Sequence, residues 1–164
     1  MKRYSMVRRI ALFLGLVAMG LANAEMISLG SLQIDGVYAR ATVPGQEVGA
    51  AYLTIENSGA TMDRLIAASS TVARSVLLHS SQMDQGMARM RHETSLDIPA
   101  HGRVEMKPGG LHLMLQDLKQ PLHEGETIHL TLKFEKSGEV ELTVPIKSLL
   151  PKEEMAPMHH EMTY

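Results

Sequence analysis

Thr127-Ile128-His129-Leu130-Thr131-Leu132-Lys133-Phe134, the turn Lys136-Ser137-Gly138, and Glu139-Val140-Glu141-Leu142-Thr143-Val144-Pro145 read as two β-strands joined by a short reversal. The same grammar extends outward through most of the chain. Gln33–Arg40 and Ala50–Glu56 carry alternating or aromatic-containing apolar runs separated by Pro44-Gly45, and Asn57-Ser58-Gly59 makes the next turn. Asp63–Ser69, Arg74–His79, Met87–Glu93, Arg103–Met106 and Leu111–Gln116 are further strand candidates. They are set apart by Ile98-Pro99-Ala100-His101-Gly102, Pro108-Gly109-Gly110 and Pro121–Gly125. Short strands at this spacing predict an all-β, single-domain sandwich of two antiparallel sheets with Greek-key connections. Helical content is limited to a short turn near Lys147–Leu150.

The two ends of the chain read differently. Lys2, Arg3, Arg8 and Arg9 precede an apolar run from Ile10 to Leu21, which closes on Ala22-Asn23-Ala24. That is the order of a secretory signal peptide with its small-residue cleavage site. The run is short of the roughly 20 residues a membrane span needs. Residues 1–24 are therefore expected to be removed on export to the periplasm, with residues 25–150 as the folded domain and no membrane span in the mature chain. Beyond Pro151 the β period stops, and residues 151–164 are expected to be a flexible Met/His-rich tail.

Composition excludes several functions. The chain carries a formal charge of −2, and loss of the four cationic leader residues makes the mature protein more acidic still. Such a surface does not seek nucleic acid or anionic lipid. There is no cysteine, so disulfides, CxxC redox chemistry and thiolate metal sites are absent. That excludes the site of one cysteine and two histidines used by electron-transfer cupredoxins. Methionine is frequent, at 13 residues, but methionine fills cores readily, so only position gives it meaning.

Position does so at four residues. His79 is followed after ten residues by Met90, then after twenty-one by His112, and after one more by Met114. Thioether sulfur is a soft, neutral ligand suited to Cu(I), and imidazole serves several transition metals. His112 and Met114 alternate with Leu113, so a strand puts both on one face. His79 and Met90 flank a turn at Met83-Asp84-Gln85-Gly86. With Asp84 and Gln85 as its central residues, His79 falls directly opposite Met90 on one face. The two pairs together form a two-nitrogen, two-sulfur Cu(I) site. Met83 shares the predicted face of His79 and is a secondary candidate. His92, His101, His123 and His129 read as surface or satisfied histidines, and Met62, Met87 and Met106 as filler.

These residues resemble the signature of the periplasmic copper chaperones of the PCu(A)C family: a His, ten residues, a Met, twenty-one residues, then His-x-Met. All four positions match. The stretch from Val104 to Leu115 also resembles the family around its second ligand pair, as do Pro121-Leu122, Glu124-Gly125-Glu126 and the closing strand Glu139–Pro145. The resemblance spans roughly residues 33–146. It implies a cupredoxin-like sandwich that binds Cu(I) and passes it to a copper-accepting protein, such as a cytochrome c oxidase subunit or its assembly factor. Many members carry a methionine two residues after the first His, where this chain has Ser81. A His- and Met-rich end is also common in the family, and here Met155, Met158, His159, His160 and Met162 would supply a secondary Cu(II) site.

No general base stands in register with the soft ligands, so the expected role is carriage without turnover, by a monomer. The alternative is a periplasmic copper-buffering or resistance protein, which would use the same ligands and differ only in its partner.

Overall fold

The stretch from Thr127 to Pro145 forms its hairpin in the computed structural model, which describes residues 26–149. Thr127 pairs with Pro145 and Phe134 with Gly138 in an unbroken antiparallel register. Ile128, Leu130, Leu132 and Phe134 point inward and are buried with Leu142 and Val144 from the facing strand. The alternate residues face water, where Lys133 lies 3.3 Å from Glu139. An exposed pair of that kind contributes little, so burial of the inward row holds the hairpin to the rest.

In chain order the strands are β1 (Ile27–Leu29), β2 (Leu32–Arg40), β3 (Val48–Asn57), β4 (Asp63–Ser70), β5 (Ala73–Asp84) and β6 (Met87–Glu93). They continue as β7 (Leu96–Ile98), β8 (Arg103–Glu105), β9 (Leu111–Leu118), β10 (Thr127–Phe134) and β11 (Gly138–Lys147). All nine expected strands are present. The three-residue strands β1 and β7 were too short to show a period. No helix occurs among the described residues, so the helical turn expected near Lys147 is absent: Lys147 ends β11, hydrogen-bonded through its carbonyl to Ala41 N at 2.9 Å. The leader at residues 1–24 and the tail at residues 151–164 lie outside the described residues.

The sheet order is β2-β11-β10-β4-β5-β9-β3, and β3 pairs back to β2. β4, β5 and β9 are successive neighbours, and β10 returns to lie beside β4, which is the Greek-key order. Two features go beyond an open two-sheet sandwich. The sheets are joined along both sides into one closed, barrel-like sheet, which leaves the seven strands of the closed path paired on both sides over part of their length. In addition, β2 and β11 run parallel, through Ala39–Ile146 and Arg40–Lys147. A bulge in β2 between Asp35 and Tyr38 admits one extra residue, and Gly36 takes φ 60° there. The bend from such a bulge lets one strand serve two neighbours.

At one end, buried Asp63 ties β4 to the β10–β11 turn. Its carboxylate accepts hydrogen bonds from the backbone N–H of Arg64 (2.7 Å), Lys136 (3.0 Å) and Ser137 (3.1 Å), and from the Ser137 hydroxyl. Burial pushes its pKa up, but these four donors, the Ser137 side chain foremost, outweigh burial and hold it below the ordinary value. A depressed carboxylate pKa stabilises the fold above the unfolded-state value, and that contribution disappears as pH falls through the folded value. Asp63→Ala, which strands three backbone donors, is expected to lose about 3 kcal/mol in urea unfolding at neutral pH. Asp63→Asn is expected to lose less stability than the parent on acidification below about pH 4.

Candidate metal centre

β5 pairs with β4 at Val76 and with two further strands that build the site. Ala73 to Ser80 pair with β9, and Leu78 to Asp84 pair with β6. At Ser81 the strand leaves β9, its N–H donating to Gly110 O at 3.1 Å. From there the β5–β6 hairpin continues as a free arm. Val76, Leu78, Leu113 and Leu115 point into the barrel, so by alternation Leu77, His79, Ser81, His112 and Met114 lie on its outer face.

The arm's turn corrects one expectation. Its central residues are Gln85 and Gly86, with φ 50° and 80°, not Asp84 and Gln85. A two-residue hairpin loop matches the strand twist only when both central residues have positive φ, and glycine is the residue that does so without strain. The pairing therefore shifts by two positions. His79 faces His92, and Met90 faces Ser81. An even shift preserves the face, so Met90 remains on the side of His79, as a diagonal neighbour. Met83 is on that face too, two residues beyond Ser81.

On the other side of β5, His79 is directly opposite His112. Their rings stack with centroids 5.9 Å apart and planes at 19°. His112 is only 6% exposed, and its Nδ1 lies 3.0 Å from Gly110 O. A carbonyl can only accept, so Nδ1 carries the hydrogen and Nε2 keeps its lone pair for a ligand. Met114 is also oriented: Gln116 Nε2 lies 3.6 Å from its sulfur, and the Ser75 hydroxyl donates to Gln116 Oε1 at 3.4 Å.

Three of the four expected ligands, with Met83, line one open cleft of about 460 Å³. Ser81, Met83 and Met90 of the arm form one wall, and His112, Met114, Ala50 and Tyr52 form the floor. Met90 and Met83 are 62% and 74% exposed, so a partner could reach their sulfurs. His79 stands behind His112 and is not on the wall. Its Nδ1 is buried without a hydrogen-bond partner. Burial lowers its pKa below the ordinary histidine value; a backbone group at Leu77 opposes this, and His112 and His92 add to it. A buried polar atom without a partner is uncommon in native proteins, and an unprotonated imidazole is the form that binds metal.

The cleft wall carries Arg40 but, among the described residues, no carboxylate. Among the described residues no three His, Asp or Glu side chains are placed to hold an ion by themselves. An ion taken up here would need sulfur. The donor set is neutral, soft and partly exposed, which disfavours hard cations such as Mg2+ and Ca2+. The secondary candidates Met155, Met158, His159, His160 and Met162 lie outside the described residues. Sequence reasoning passed over two neighbours. His92 would have been visible had the turn been centred on Gln85-Gly86. Gln116 carries no signal beyond its alternation with Met114.

Known proteins resemble this chain in sequence and fold. The family model described as "Putative lipoprotein LpqE-like" matches residues 32–146. The chain is 31% identical over 141 residues to "Putative lipoprotein Lxx21020" of Leifsonia xyli subsp. xyli (strain CTCB07), covering 84% of this chain and 85% of that one. Among solved structures it is similar to the copper-bound PCuAC domain from PmoF2, with TM-score 0.66 and 30% identity over 76% of this chain and 98% of that one. It is also similar to the Cu(I) form of DR1885 from Deinococcus radiodurans, with TM-score 0.59 and 31% identity over 77% and 83% of the two chains.

The two stacked imidazoles can be read directly by 15N NMR of the metal-free protein. His112 is expected to show the Nδ1–H tautomer, and His79 to titrate below 6.5. Because its folded pKa is depressed, the neutral His79 supports the fold above the unfolded value, and this support fades as pH falls through the folded one. A titration of His79 at or above the ordinary value would contradict its half-buried placement.

Proposed function

Because the chain belongs to the LpqE-like family and shares its fold with copper-binding PCuAC domains, we propose that it is a copper chaperone that carries Cu(I) between His79, Met90, His112 and Met114. The observation that carries this reading is the single cleft lined by His112, Met114 and Met90, with His79 stacked against His112. Met83 is an auxiliary sulfur on the same wall. The lipoprotein names of the matching family and relative support export, and we place the protein in the periplasm, released from a signal peptide over residues 1–24. The folded domain spans residues 25–150, and the tail at residues 151–164 holds Cu(II) weakly through Met155, Met158, His159, His160 and Met162.

The chemistry suits carriage. No thiolate has to be reprotonated when the ion leaves, so release requires only that an acceptor's ligands replace neutral sulfur and nitrogen. The exposed thioethers of Met90 and Met83 are the ligands an acceptor would displace first. His112, buried and held by Gly110, would be the last to let go. The acceptor is a copper protein such as a cytochrome c oxidase subunit or its assembly factor, and the carrier works as a monomer. A copper-buffering role would use the same cleft without that acceptor.

An anaerobic Cu(I) titration of the mature protein against a chromophoric chelator tests the assignment. One tight equivalent is expected, weakened at least about 100-fold, or about 2.7 kcal/mol, in His79→Ala/Met114→Ala. Undiminished tight binding in the double variant would overturn it.

A further inference from the structure

His79 has a histidine on each side. Its ring centroid is 5.9 Å from that of His112 on β9 and 5.5 Å from that of His92 on β6, the second pair at 33° between planes. All three sit in register across β6, β5 and β9, so the row is built into the sheet. His112 belongs to the thioether-lined cleft. His92 faces the other way along the row, at the rim of a separate cavity of about 210 Å³ lined by Glu93, Thr94 and Ser95 beside aliphatic residues such as Leu77, with no methionine among the described residues; His79 does not itself line it.

An ion bound at about 2.0–2.1 Å to one nitrogen of an imidazole lies about 3.2 Å from the ring centre. Two rings holding the same ion at a tetrahedral angle then have centroids about 5.2 Å apart, and at wider angles up to about 6.4 Å. The 5.5 Å between His79 and His92 falls in that interval. The buried Nδ1 of His79 has no hydrogen-bond partner among the described residues, so it is a donor atom that either flank of the row can use. The flank offers imidazole without thioether, the preference of Cu(II) where the cleft has that of Cu(I).

We propose that His79 and His92 form a second metal site, a two-imidazole site for Cu(II) completed by water, which shares His79 with the thioether-lined cleft. It rests on the copper reading above for the identity of the ion. The carboxylate in that cavity, Glu93, accepts a hydrogen bond from the Ser80 hydroxyl at 2.6 Å, and no group of three imidazoles or carboxylates converges among the described residues, so water fills the remaining positions and the ion exchanges readily. Sharing His79 makes the two sites alternatives: one copper ion per domain, on the imidazole flank or in the cleft.

The test is a Cu(II) titration of the full chain carrying His159→Ala/His160→Ala, which removes the tail's imidazoles, followed by EPR with pulsed detection of coordinated imidazole nitrogen. One equivalent with two imidazole nitrogens is expected. Adding His92→Ala, an exposed position on β6, is expected to weaken Cu(II) binding at least tenfold and leave a single imidazole signal. Adding His123→Ala, an exposed residue in the loop between β9 and β10, is expected to change neither. An unchanged affinity and a two-imidazole signal in the His92→Ala protein would overturn the proposal, as would the absence of Cu(II) binding in the background protein. A Cu(I) titration of the same background reads the cleft separately. Loss of Cu(I) binding with the two-imidazole Cu(II) signal intact would sink the chaperone reading and leave this site standing.

Discussion

Strand β5 is hydrogen-bonded to β9 on one side and to β6 on the other, and both registers place His79 opposite another histidine. The site depends on that double pairing. A slip of one residue against either neighbour would turn His79 into the barrel and bring Leu78 out. The inward row of Val76, Leu78, Leu113 and Leu115 resists such a slip, because burying each large apolar side chain contributes about 1.5–3 kcal/mol. The hydrophobic core thus holds the outward-facing candidate ligands in place from the opposite face of the sheet.

Closure of the sheet extends this control. β3, which pairs with β9 through Val48–Gln116 to Ala51–Leu113, also pairs with β2, and β2 with β11. The cleft floor is therefore continuous wall, with Tyr38 and Tyr52 packed 5.0 Å apart and Lys147 over the Tyr38 ring. The arm of β5 and β6 beyond Ser81 lacks this support, since among the described residues only its own two strands pair there. The site joins a rigid half, His112 and Met114 on a barrel strand, to an adaptable half, Met83 and Met90 on a protruding hairpin. A carrier needs both: fixed ligands to hold the ion and movable ones to yield it. Methionine, unbranched and polarizable, suits the movable half.

Much of this was legible in the sequence because the relevant information was local. Alternating apolar residues and glycine- or proline-bearing turns specify strands wherever they occur, so nine strands could be placed and the inward or outward sense of residues such as Leu113 against His112 followed from period two. The four-ligand spacing and its soft chemistry were equally local. β1 and β7 were missed because three residues cannot display a period, and the turn was misplaced by one residue because turn geometry depends on the twist of the strands it joins. That one residue hid the pairing of His79 with His92.

The sequence by itself determined the nine longer-patterned strands, the soft and cysteine-free set of candidate donors, and the face of each strand that carries them, since these follow from side-chain chemistry and an alternation of two. Only the tertiary structure decided which surface the candidate donors share. In a flat sheet, Met114 at the level of Leu77 and Met90 at the level of Ser81 would stand about 13 Å apart along the strands, four residues at about 3.3 Å each. They line one cleft because the barrel closes and the unsupported arm forms a wall over β9 and β3. Barrel closure and arm placement arise from pairings between residues distant in the chain, such as Ala51 with Ala39 and with Leu113, and no local pattern encodes which distant strand a given strand will meet.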